Sequence, residues 1–384
     1  MKDRATTKQL ILITFVAGMT LKIFLLPTLL LKSAGRDGLI VLAILLGVEL
    51  LLLAAAYFVI KRSPDMTLTE ALEKYLTKVG ARVIALILVV YIVLKLLLIF
   101  TETRSFFETA LFEEFKWYVM ALPLFALVAI VAAKSLSGVA RLFEIFTPIL
   151  IVVLIILAVM IIPAADFGNV LPLGTTGGGG IARHTLSFPI WTGDFVLLAL
   201  FVGKVRPQRK SFARYGIISA ALACGFVMFF AILLTAAYGN IPHLIEYGHN
   251  ARDLTILGSG RLTYGRIDMI LYVIWTIGVI IKLFLYGYFA VYLLSYTFGL
   301  KGANSRLLVS GIMCLALYIL TITVFASNTA AYEFVRTPIP RFFALGVQGL
   351  VLVGAVVLGL IVKNENLKLK NEGREKRKKQ ESNV

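Results

Sequence analysis

The sequence predicts an all-α membrane protein with about ten transmembrane helices, and two observations support this fold class. First, 59% of the 384 residues are hydrophobic and only 15% are charged, which is more apolar surface than a water-soluble chain of this length could bury. Second, ten apolar stretches each approach the about 20 residues that a helix needs to cross a bilayer. Their ranges are 9–31, 39–60, 81–103, 117–134, 142–162, 186–204, 212–238, 268–296, 306–326 and 338–362.

Positive charge is distributed unevenly between the two predicted sides of the membrane. With the N-terminus placed inside, 25 of the 38 Lys and Arg residues fall in cytoplasmic segments and 10 in outer loops. This bias predicts that both termini lie in the cytoplasm. It also accounts for most of the net charge of +17, so no nucleic-acid partner is expected. The stretch 9–31 is too long for a signal peptide and no small-residue cleavage site follows it, so we assign it as the first span.

Two cytoplasmic segments outside the spans have patterns of their own. Residues 67–79 place apolar side chains at helical spacing, and Thr67 with Glu70 forms a capping-box pattern. This predicts a short helix that lies either on the cytoplasmic membrane face or against the bundle. The C-terminal segment 363–384 holds eight basic residues against four glutamates, which predicts a disordered basic tail near anionic lipid headgroups.

Two outer loops are long. The loop 163–183 contains Thr175, Thr176 and then four glycines at 177–180. Because no Gly-Lys-Ser/Thr follows, phosphate binding is disfavoured, and we expect a flexible linker that joins two five-span halves. The loop Gly239–Arg266 carries several ionisable side chains. Its pattern fits a cover over a binding site, a partner contact or a solvated segment, and the sequence does not decide between them.

Two of the predicted spans contain residues that interrupt a helix at membrane depth. The sixth span has Pro189, Gly193 and Asp194 within one short window, and the first span has Gly18 and Pro27. Proline removes a backbone donor, glycine tolerates a non-helical backbone, and a buried carboxylate is costly in lipid. The released backbone groups must face protein, water or a ligand. Interrupted segments at corresponding places in two halves indicate a transporter-type binding site.

Ionisable side chains inside spans are functional candidates by default. There are five of them: Lys22, Glu49, Lys95, Asp194 and Lys282. Lys282 fits a ligand-carboxylate contact, a pair with Asp194, a substitute for a coupling cation or a static ion pair. Lys95 fits snorkelling and pathway lining equally, and Glu49 is expected to be the buried partner of a lysine. Glu102 stands near a span end and is less informative.

The sequence contains no pattern that indicates catalysis or metal binding. Cys224 and Cys314 lie in apolar segments, and His184, His243 and His249 lie in loops without a ligand spacing. We therefore expect no disulfide framework, metal site or cofactor. Since no nucleophile–base arrangement is recognisable, we do not expect an enzyme.

Several short motifs follow one another along the ten spans. They are TKQL at residues 7–10, Pro27, Ala34-Gly35-Arg36-Asp37, Glu102-Thr103-Arg104, Arg141-Leu142-Phe143, Phe188 to Asp194, Arg266-Ile267-Asp268, Tyr286 to Ala290 and Phe298-Gly299-Leu300. With these motifs the chain resembles the membrane-embedded B-subunit of bacterial endospore germinant receptors, over nearly all of residues 6–362. That family is a branch of the amino acid/polyamine/organocation transporter superfamily.

The resemblance implies a LeuT-like, five-plus-five inverted repeat with broken helices 1 and 6. One membrane domain would cover residues 1–362, with repeat one at about 9–162 and repeat two at about 186–362. The implied ligand pocket lies between spans one, three, six and eight. Its residues here are Gly18, Met19, Thr20, Leu98, Trp191, Thr192, Gly193, Ile281 and Lys282. One departure is that Lys22 follows a break which small residues normally surround, so its side chain would fill space for a ligand or cation.

The resemblance also implies a receptor subunit in the spore inner membrane that binds a small nutrient germinant. An amino acid is favoured, because two facing helix breaks offer groups for both ends of a zwitterion. The implied partners are A-type and lipoprotein C-type receptor subunits and membrane lipid. Two alternatives stay open: a proton-coupled amino acid transporter that uses Asp194 and the buried lysines, and a ligand-blind scaffold or ion conduit of the receptor complex.

Overall fold

The computed structural model describes most of the chain, and the predicted outer loop Gly239–Arg266 lies outside the described residues. The described ranges are 4–20, 22–23, 25–62, 66–106, 117–206, 212–238, 267–300, 302–325 and 328–381. Seven helices in these ranges are long and apolar enough to cross a membrane, and Thr7–Met19 and Ala121–Ala132 are shorter apolar helices. The fold is therefore that of an all-α membrane protein, as the composition predicts.

Helices account for nearly all of the described residues. They are α1 (Thr7–Met19), α2 (Leu25–Ala34), α3 (Gly38–Arg62), α4 (Leu68–Tyr75), α5 (Lys78–Phe106), α6 (Trp117–Ala132), α7 (Leu136–Ile161), α8 (Gly177–Thr185), α9 (Phe212–Tyr238), α10 (Ile267–Thr297), α11 (Ala303–Thr323), α12 (Asn328–Arg336) and α13 (Pro338–Glu381). Short 3-10 helices cover Gly35–Asp37, Ile162–Ala164, Phe167–Val170, Pro189–Trp191 and Asp194–Phe201. Two short strands, β1 (Ala5–Thr6) and β2 (Val205–Arg206), pair in parallel.

The first predicted span consists of two helices rather than one. Helix α1 ends at Met19 and α2 begins at Leu25. At the end of α1, the Thr20 hydroxyl donates back to the carbonyl of Val16 over 2.8 Å, which satisfies one carbonyl of the last turn. The backbone carbonyls of Ala17 and Thr20 accept hydrogen bonds from the side chain of Lys282, which is more than 260 positions away in the sequence.

The sixth predicted span, 186–204, contains no α-helix within Pro189–Phe201. Two 3-10 helices, Pro189–Trp191 and Asp194–Phe201, are separated by Thr192 and by Gly193, whose φ of +81° is left-handed. All side chains of Asp194–Phe201 are buried. Because glycine adopts positive φ at no steric cost, Gly193 allows the backbone to leave the right-handed region between the two 3-10 helices. We call Pro189–Phe201 the broken segment.

Two predictions about the loops and the tail are wrong. The glycines at 177–180 begin helix α8 and do not form a flexible linker. Asp37 fixes the position of the two threonines that precede α8. Its carboxylate accepts hydrogen bonds from the backbone N–H of Thr176 (2.6 Å) and from the hydroxyl of Thr175 (3.1 Å). The C-terminal segment is also not disordered up to residue 381, since α13 continues to Glu381. An apolar helix that already exists can be extended without a new nucleation cost.

At the end of the bundle near the N-terminus, several short elements close over the broken segment. Ala5 pairs with Val205 in the β1–β2 ladder, and its backbone donates to the carbonyl of Lys204 over 2.8 Å. Helix α4 has the predicted capping box at Thr67 and packs on the bundle, because Thr69 bonds the hydroxyl of Tyr292 at 2.8 Å. These contacts tie the start of α1, α4 and α10 to the residues that follow the broken segment.

Candidate functional site

The five predicted buried charges converge on one cluster, whose centre is Asp194. One carboxylate oxygen of Asp194 accepts from the ammonium of Lys95 at 3.0 Å and from the hydroxyl of Tyr286. The other accepts from Lys22 at 2.9 Å and from Lys282 at 3.1 Å. All of these side chains are buried. A carboxylate offers about four lone-pair positions, so this network uses all of them.

Glu49 of α3 binds the start of the 3-10 helix Asp194–Phe201. Its carboxylate accepts from the backbone N–H of Asp194 at 3.1 Å and of Phe195 at 3.2 Å, and it also pairs with Lys22. A negative charge at a helix N-terminus is stabilised by the unpaired N–H groups there. The prediction that Glu49 is the buried partner of a lysine is confirmed by its pair with Lys22. Its contact with the broken segment was not predicted.

Tyr91 and Gln348 bind the carbonyls of the broken segment, and sequence reasoning missed both. The hydroxyl of Tyr91 donates to the carbonyl of Gly193 at 3.0 Å. The amide of Gln348 donates to the carbonyl of Pro189 at 2.6 Å. Gln348 is an uncharged amide within an apolar span, so a search for ionisable residues passes over it. A lone amide in such a span is itself a signal, because it must find a partner inside the protein.

Lys282 joins the two helix breaks. Its ammonium donates to the carbonyls of Ala17 (3.1 Å) and Thr20 (2.9 Å) at the end of α1, and to Asp194 at 3.1 Å in the broken segment. An ammonium has three N–H donors, and each has an acceptor here. Of the roles predicted for Lys282, its pair with Asp194 is present. Its ammonium also lies beside two main-chain carbonyls and a carboxylate, a position that would suit a cation. In this arrangement no donor is left for a ligand carboxylate.

Lys95 also points into the protein and does not snorkel. Its ammonium donates to the carbonyl of Thr192 at 2.5 Å in addition to Asp194. The cluster thus contains three ammonium groups and two carboxylates, which leaves one net positive charge in a buried site. Buried charges are tolerated only when they are paired and hydrogen-bonded. The main-chain groups released by the two breaks are therefore bound by the chain's own side chains.

The residues of the predicted pocket are all buried, but they do not all face the cluster. Thr20 and Thr192 contribute carbonyls to it, as described above. Gly18 packs against the ring of Phe195, since a Cβ there would lie 2.8 Å from a ring carbon. Ile281 lines a separate apolar cavity of about 210 Å³ between α1, α7 and α10. Met19 and Trp191 are buried at the two breaks, and Leu98 is buried on α5.

Glu102 is buried, although its position near a span end predicted an interfacial side chain. It is only 5% exposed. In the described part of the chain, its Oε2 has no hydrogen-bond partner. Most buried polar atoms in native proteins do have such a partner, so Glu102 offers a carboxylate oxygen that no other described group uses. Among the described residues, no group of three or more His, Cys, Asp or Glu side chains could hold a metal ion.

One solved transporter structure has the same architecture. A Na⁺-coupled sialic acid symporter, solved in a substrate-bound outward-open state, superposes with a TM-score of 0.62 at 14% identity, covering 92% of this chain and 79% of the symporter. A manganese transporter of Eremococcus coleocola gives 0.49 at 12% identity, covering 93% and 78%. At such identity the likeness to the symporter shows the fold alone, which is that of LeuT-type transporters.

Sequence comparison adds the family. A comparison with curated proteins gives no match. A family model described as "Spore germination protein", of the spore permease type, matches residues 4–330. This match covers most of the chain and includes both helix breaks and the residues of the Asp194 cluster. The chain therefore belongs to the spore germination protein family of membrane permeases.

Proposed function

We propose that this chain is the integral membrane subunit of a spore germinant receptor, which binds a small nutrient at the Asp194 cluster and signals through partner subunits. Family membership supports a permease or receptor subunit. An amino acid is the ligand class that best matches the chemistry of the cluster. The five-plus-five repeat, with halves at 9–162 and 186–362, stays a prediction within this proposal.

The observation that carries the proposal is the way in which the broken segment is held. Side chains from α3, α5, α10 and α13 hold it, and nearly every bond involves an ammonium, a carboxylate or a main-chain carbonyl. An amino acid brings one carboxylate and one ammonium of the same kinds. It can therefore replace internal pairs with equivalent ones, which avoids leaving a buried charge unpaired. Ligand binding then shifts the segment between two sets of partners.

The charge of the cluster supports a ligand that carries a carboxylate. Three ammonium groups face two carboxylates, so an added carboxylate neutralises the excess positive charge. The ammonium of an amino acid would need a separate acceptor. Glu102 has an unused, buried carboxylate oxygen and lies two helical turns from Lys95 on α5. We therefore assign the carboxylate end of the ligand to Lys22 and Lys95, since each donor of Lys282 already has an acceptor, and its ammonium end to Glu102.

Germination of spores that carry this receptor alone tests the proposal. We expect Thr192→Phe and Leu98→Trp to raise the half-maximal germinant concentration or abolish the response, because both enlarge buried side chains that are assigned to the ligand pocket. Thr323→Phe is the matched control, since Thr323 is exposed at the end of α11. Immunoblots of spore membranes show whether each variant is present. Unchanged concentration dependence at normal abundance would favour the ligand-blind scaffold or ion conduit and contradict the proposal.

A proton-coupled transporter is the second candidate, and the position of Lys282 favours it. Its ammonium occupies a site built of helix-end carbonyls and a carboxylate, which would suit a coupling cation. In such a transporter, Lys282 would gain and lose a proton at the position where a cation-coupled transporter binds and releases its metal ion. Uptake of labelled amino acids into proteoliposomes with an imposed pH gradient separates the two candidates. Net uptake supports the transporter, whereas ligand-induced thermal stabilisation without uptake supports the receptor.

The proposal also covers the location, orientation and partners of the chain. It lies in the spore inner membrane with both termini in the cytoplasm, and its partners are A-type and lipoprotein C-type subunits. The charge bias of the sequence supports the orientation, and family membership supports the membrane. Affinity purification of a tagged chain from spore membranes, followed by mass spectrometry, tests the partners. Recovery of the chain without either subunit would contradict this part of the proposal.

A further inference from the structure

An apolar cavity of about 210 Å³ lies between α1, α7 and α10. Helix α7 contributes Phe143, Phe146 and Leu150 to its lining, α1 contributes Val16, and α10 contributes Ile281. The lining residues of α7 and α10 fall within the candidate membrane spans Leu136–Ile161 and Thr276–Thr297. The cavity therefore lies within the membrane-spanning part of the bundle, and none of its lining residues belongs to the Asp194 cluster.

The lining of the cavity is suited to an apolar occupant. Thr147 is the one polar side chain among the described residues that line it, and its hydroxyl donates to the carbonyl of Phe143 at 2.5 Å. A buried water needs two to four polar partners, so the cavity should stay dry. In another protein, an apolar cavity of about 150 Å³ lined by Leu, Ile and Phe is likewise dry and binds benzene. The larger cavity here can therefore hold an apolar ring.

The cavity borders the surface of α7 that faces lipid. Ile149 lines the cavity and is also 45% exposed. On the same helix, Ile145 and Val152 are exposed as well, and exposed apolar side chains within a membrane span face the hydrocarbon. A molecule dissolved in the bilayer can thus approach the cavity past Ile149. Because a charged group is costly at this depth, the molecule must be uncharged.

The volume of the cavity restricts the size of its occupant. A sphere of 210 Å³ is about 7 Å across, which suits a benzene ring with a small substituent. A lipid acyl chain extends over about 15 Å, half of the hydrocarbon core, so it is too long to be enclosed. The cavity therefore indicates a compact apolar molecule rather than a phospholipid.

The cavity lies next to the contact that joins α1 to Lys282. Val16 precedes Ala17, whose carbonyl accepts from Lys282 at 3.1 Å, and Ile281 precedes Lys282 in α10. Val16 and Ile281 both line the cavity. A molecule in the cavity thus packs against both of the helices that make this contact. A ligand that binds one conformation better than others shifts the population toward it.

We propose that the cavity between α1, α7 and α10 is a binding site for a small, uncharged apolar molecule that enters from the bilayer. The bound molecule packs against Val16 and Ile281 and stabilises the arrangement in which Lys282 holds the end of α1. The site does not depend on the germinant proposed for the Asp194 cluster. It provides a second input, because it favours one arrangement of the same helix break.

Photolabelling of the full-length chain in phosphatidylcholine nanodiscs tests the site. The label is trifluoromethyl-phenyldiazirine, toluene is the competitor, and mass spectrometry identifies the labelled residues. We expect toluene to suppress labelling at Phe146 and Ile281 but not at the lipid-facing Val152. Benzylammonium, which has the same ring but carries a charge, should not compete. Equal suppression at Phe146 and Val152, or suppression at neither, would overturn the proposal.

Filling the cavity should remove the site. Gly278 lines it, and a Cβ there would lie 3.5 Å from Leu150, which is an ordinary contact. Gly278→Val is therefore expected to fold and to lower the toluene-sensitive labelling about tenfold. Gly311→Val in α11 is the matched control, since a Cβ there meets no atom within 4 Å. Equal toluene-sensitive labelling of the two variants would contradict the assigned site.

Enlarging the cavity gives an independent variant. Leu150→Ala should strengthen competition by naphthalene relative to toluene, whereas Leu154→Ala, which changes a buried leucine of α7 outside the lining, should not. The same relative competition in both variants would count against the cavity as the site.

Thermal unfolding tests the effect of the bound molecule on the fold. Toluene should raise the unfolding midpoint of the wild type and leave that of Gly278→Val unchanged, because only a protein that binds the molecule is stabilised by it. An unchanged midpoint in the wild type would show that the occupant does not stabilise the arrangement at the end of α1, and the second input would be excluded.

Discussion

Asp194 is the residue on which the cluster depends. It lies at the point where α1, α5, α10 and the broken segment meet, and its two oxygens bind three lysines and a tyrosine. No single lysine has the same importance, because each ammonium also binds a main-chain carbonyl or Glu49. The carboxylate balances charge and holds the two breaks together. Its removal should therefore affect the whole site.

Asp194→Asn should strongly destabilise the protein. The variant leaves three buried ammonium groups opposite Glu49 alone, and the loss of one partner from a buried ion pair typically costs about 3–5 kcal/mol. Thermal unfolding of purified protein in detergent measures this effect. Asp166→Asn is the control, because Asp166 is exposed and its carboxylate accepts from the backbone N–H of Gly168 in its own turn. Equal midpoints for Asp194→Asn and the wild type would show that the cluster does not stabilise the fold.

Lys282→Met should alter either the germinant response or the abundance of the receptor. The substitution keeps the volume of the side chain but leaves the carbonyls of Ala17 and Thr20 without their donor, and an unpaired buried polar group costs about 1–3 kcal/mol. Germination curves and membrane immunoblots measure the two outcomes. The exposed Lys134→Met is the control. Normal germination together with normal abundance would remove Lys282 from the mechanism.

Among the elements, the broken segment shows what the sequence can and cannot predict. Pro189, Gly193 and Asp194 correctly mark where the backbone leaves a regular helix. The 3-10 winding on both sides of Gly193 was not predictable from these residues. It depends on Glu49 at the backbone N–H groups of Asp194 and Phe195 and on other side chains far away in sequence. Local residues specify the break, and tertiary contacts specify its shape.

Gly193→Ala should disrupt the segment more than a glycine substitution elsewhere in a span. At φ +81° an alanine is strained, and its Cβ would clash with the hydroxyl of Tyr91 and the amide of Gln348. We expect a loss of about 1–3 kcal/mol from the backbone alone, measured as a lower midpoint of thermal unfolding. Gly225→Ala in α9 is the control, because a Cβ there meets no atom within 4 Å and alanine favours a helix. Similar midpoints for both variants would contradict the assigned backbone.

At the scale of the molecule, hydropathy predicts where the apolar helices lie, and it fails where long-range contacts determine the local structure. Each of the ten predicted ranges falls on a described helix or on the broken segment. Residues 177–180 form a helix instead of a linker, because Asp37 holds the preceding threonines from 138 and 139 positions away. Such a contact leaves no local pattern. For the same reason, the sequence identifies the five buried charged residues as candidates but does not predict most of their partners.

The contacts near the N-terminus predict how the whole molecule would respond if its two halves move. β1 leads directly into α1, and β2 follows the broken segment, so a displacement of α1 relative to the broken segment would separate the Ala5–Val205 pair. Adjacent strands lie about 4.8 Å apart, within the range that a disulfide spans. Ala5→Cys with Val205→Cys should therefore form a cross-link on oxidation. The native Cys224 and Cys314 are buried in α9 and α11 and should not interfere.

If ligand binding separates these strands, the oxidised double variant should lose ligand-induced thermal stabilisation, and a reducing agent should restore it. The single variant Ala5→Cys should behave as the wild type under both conditions, since it cannot form the cross-link. A cross-linked protein that still responds fully to ligand would mean that this end of the bundle stays closed during signalling. In that case the conformational change would have to reach the partner subunits through the opposite end, where Asp37 holds the start of α8.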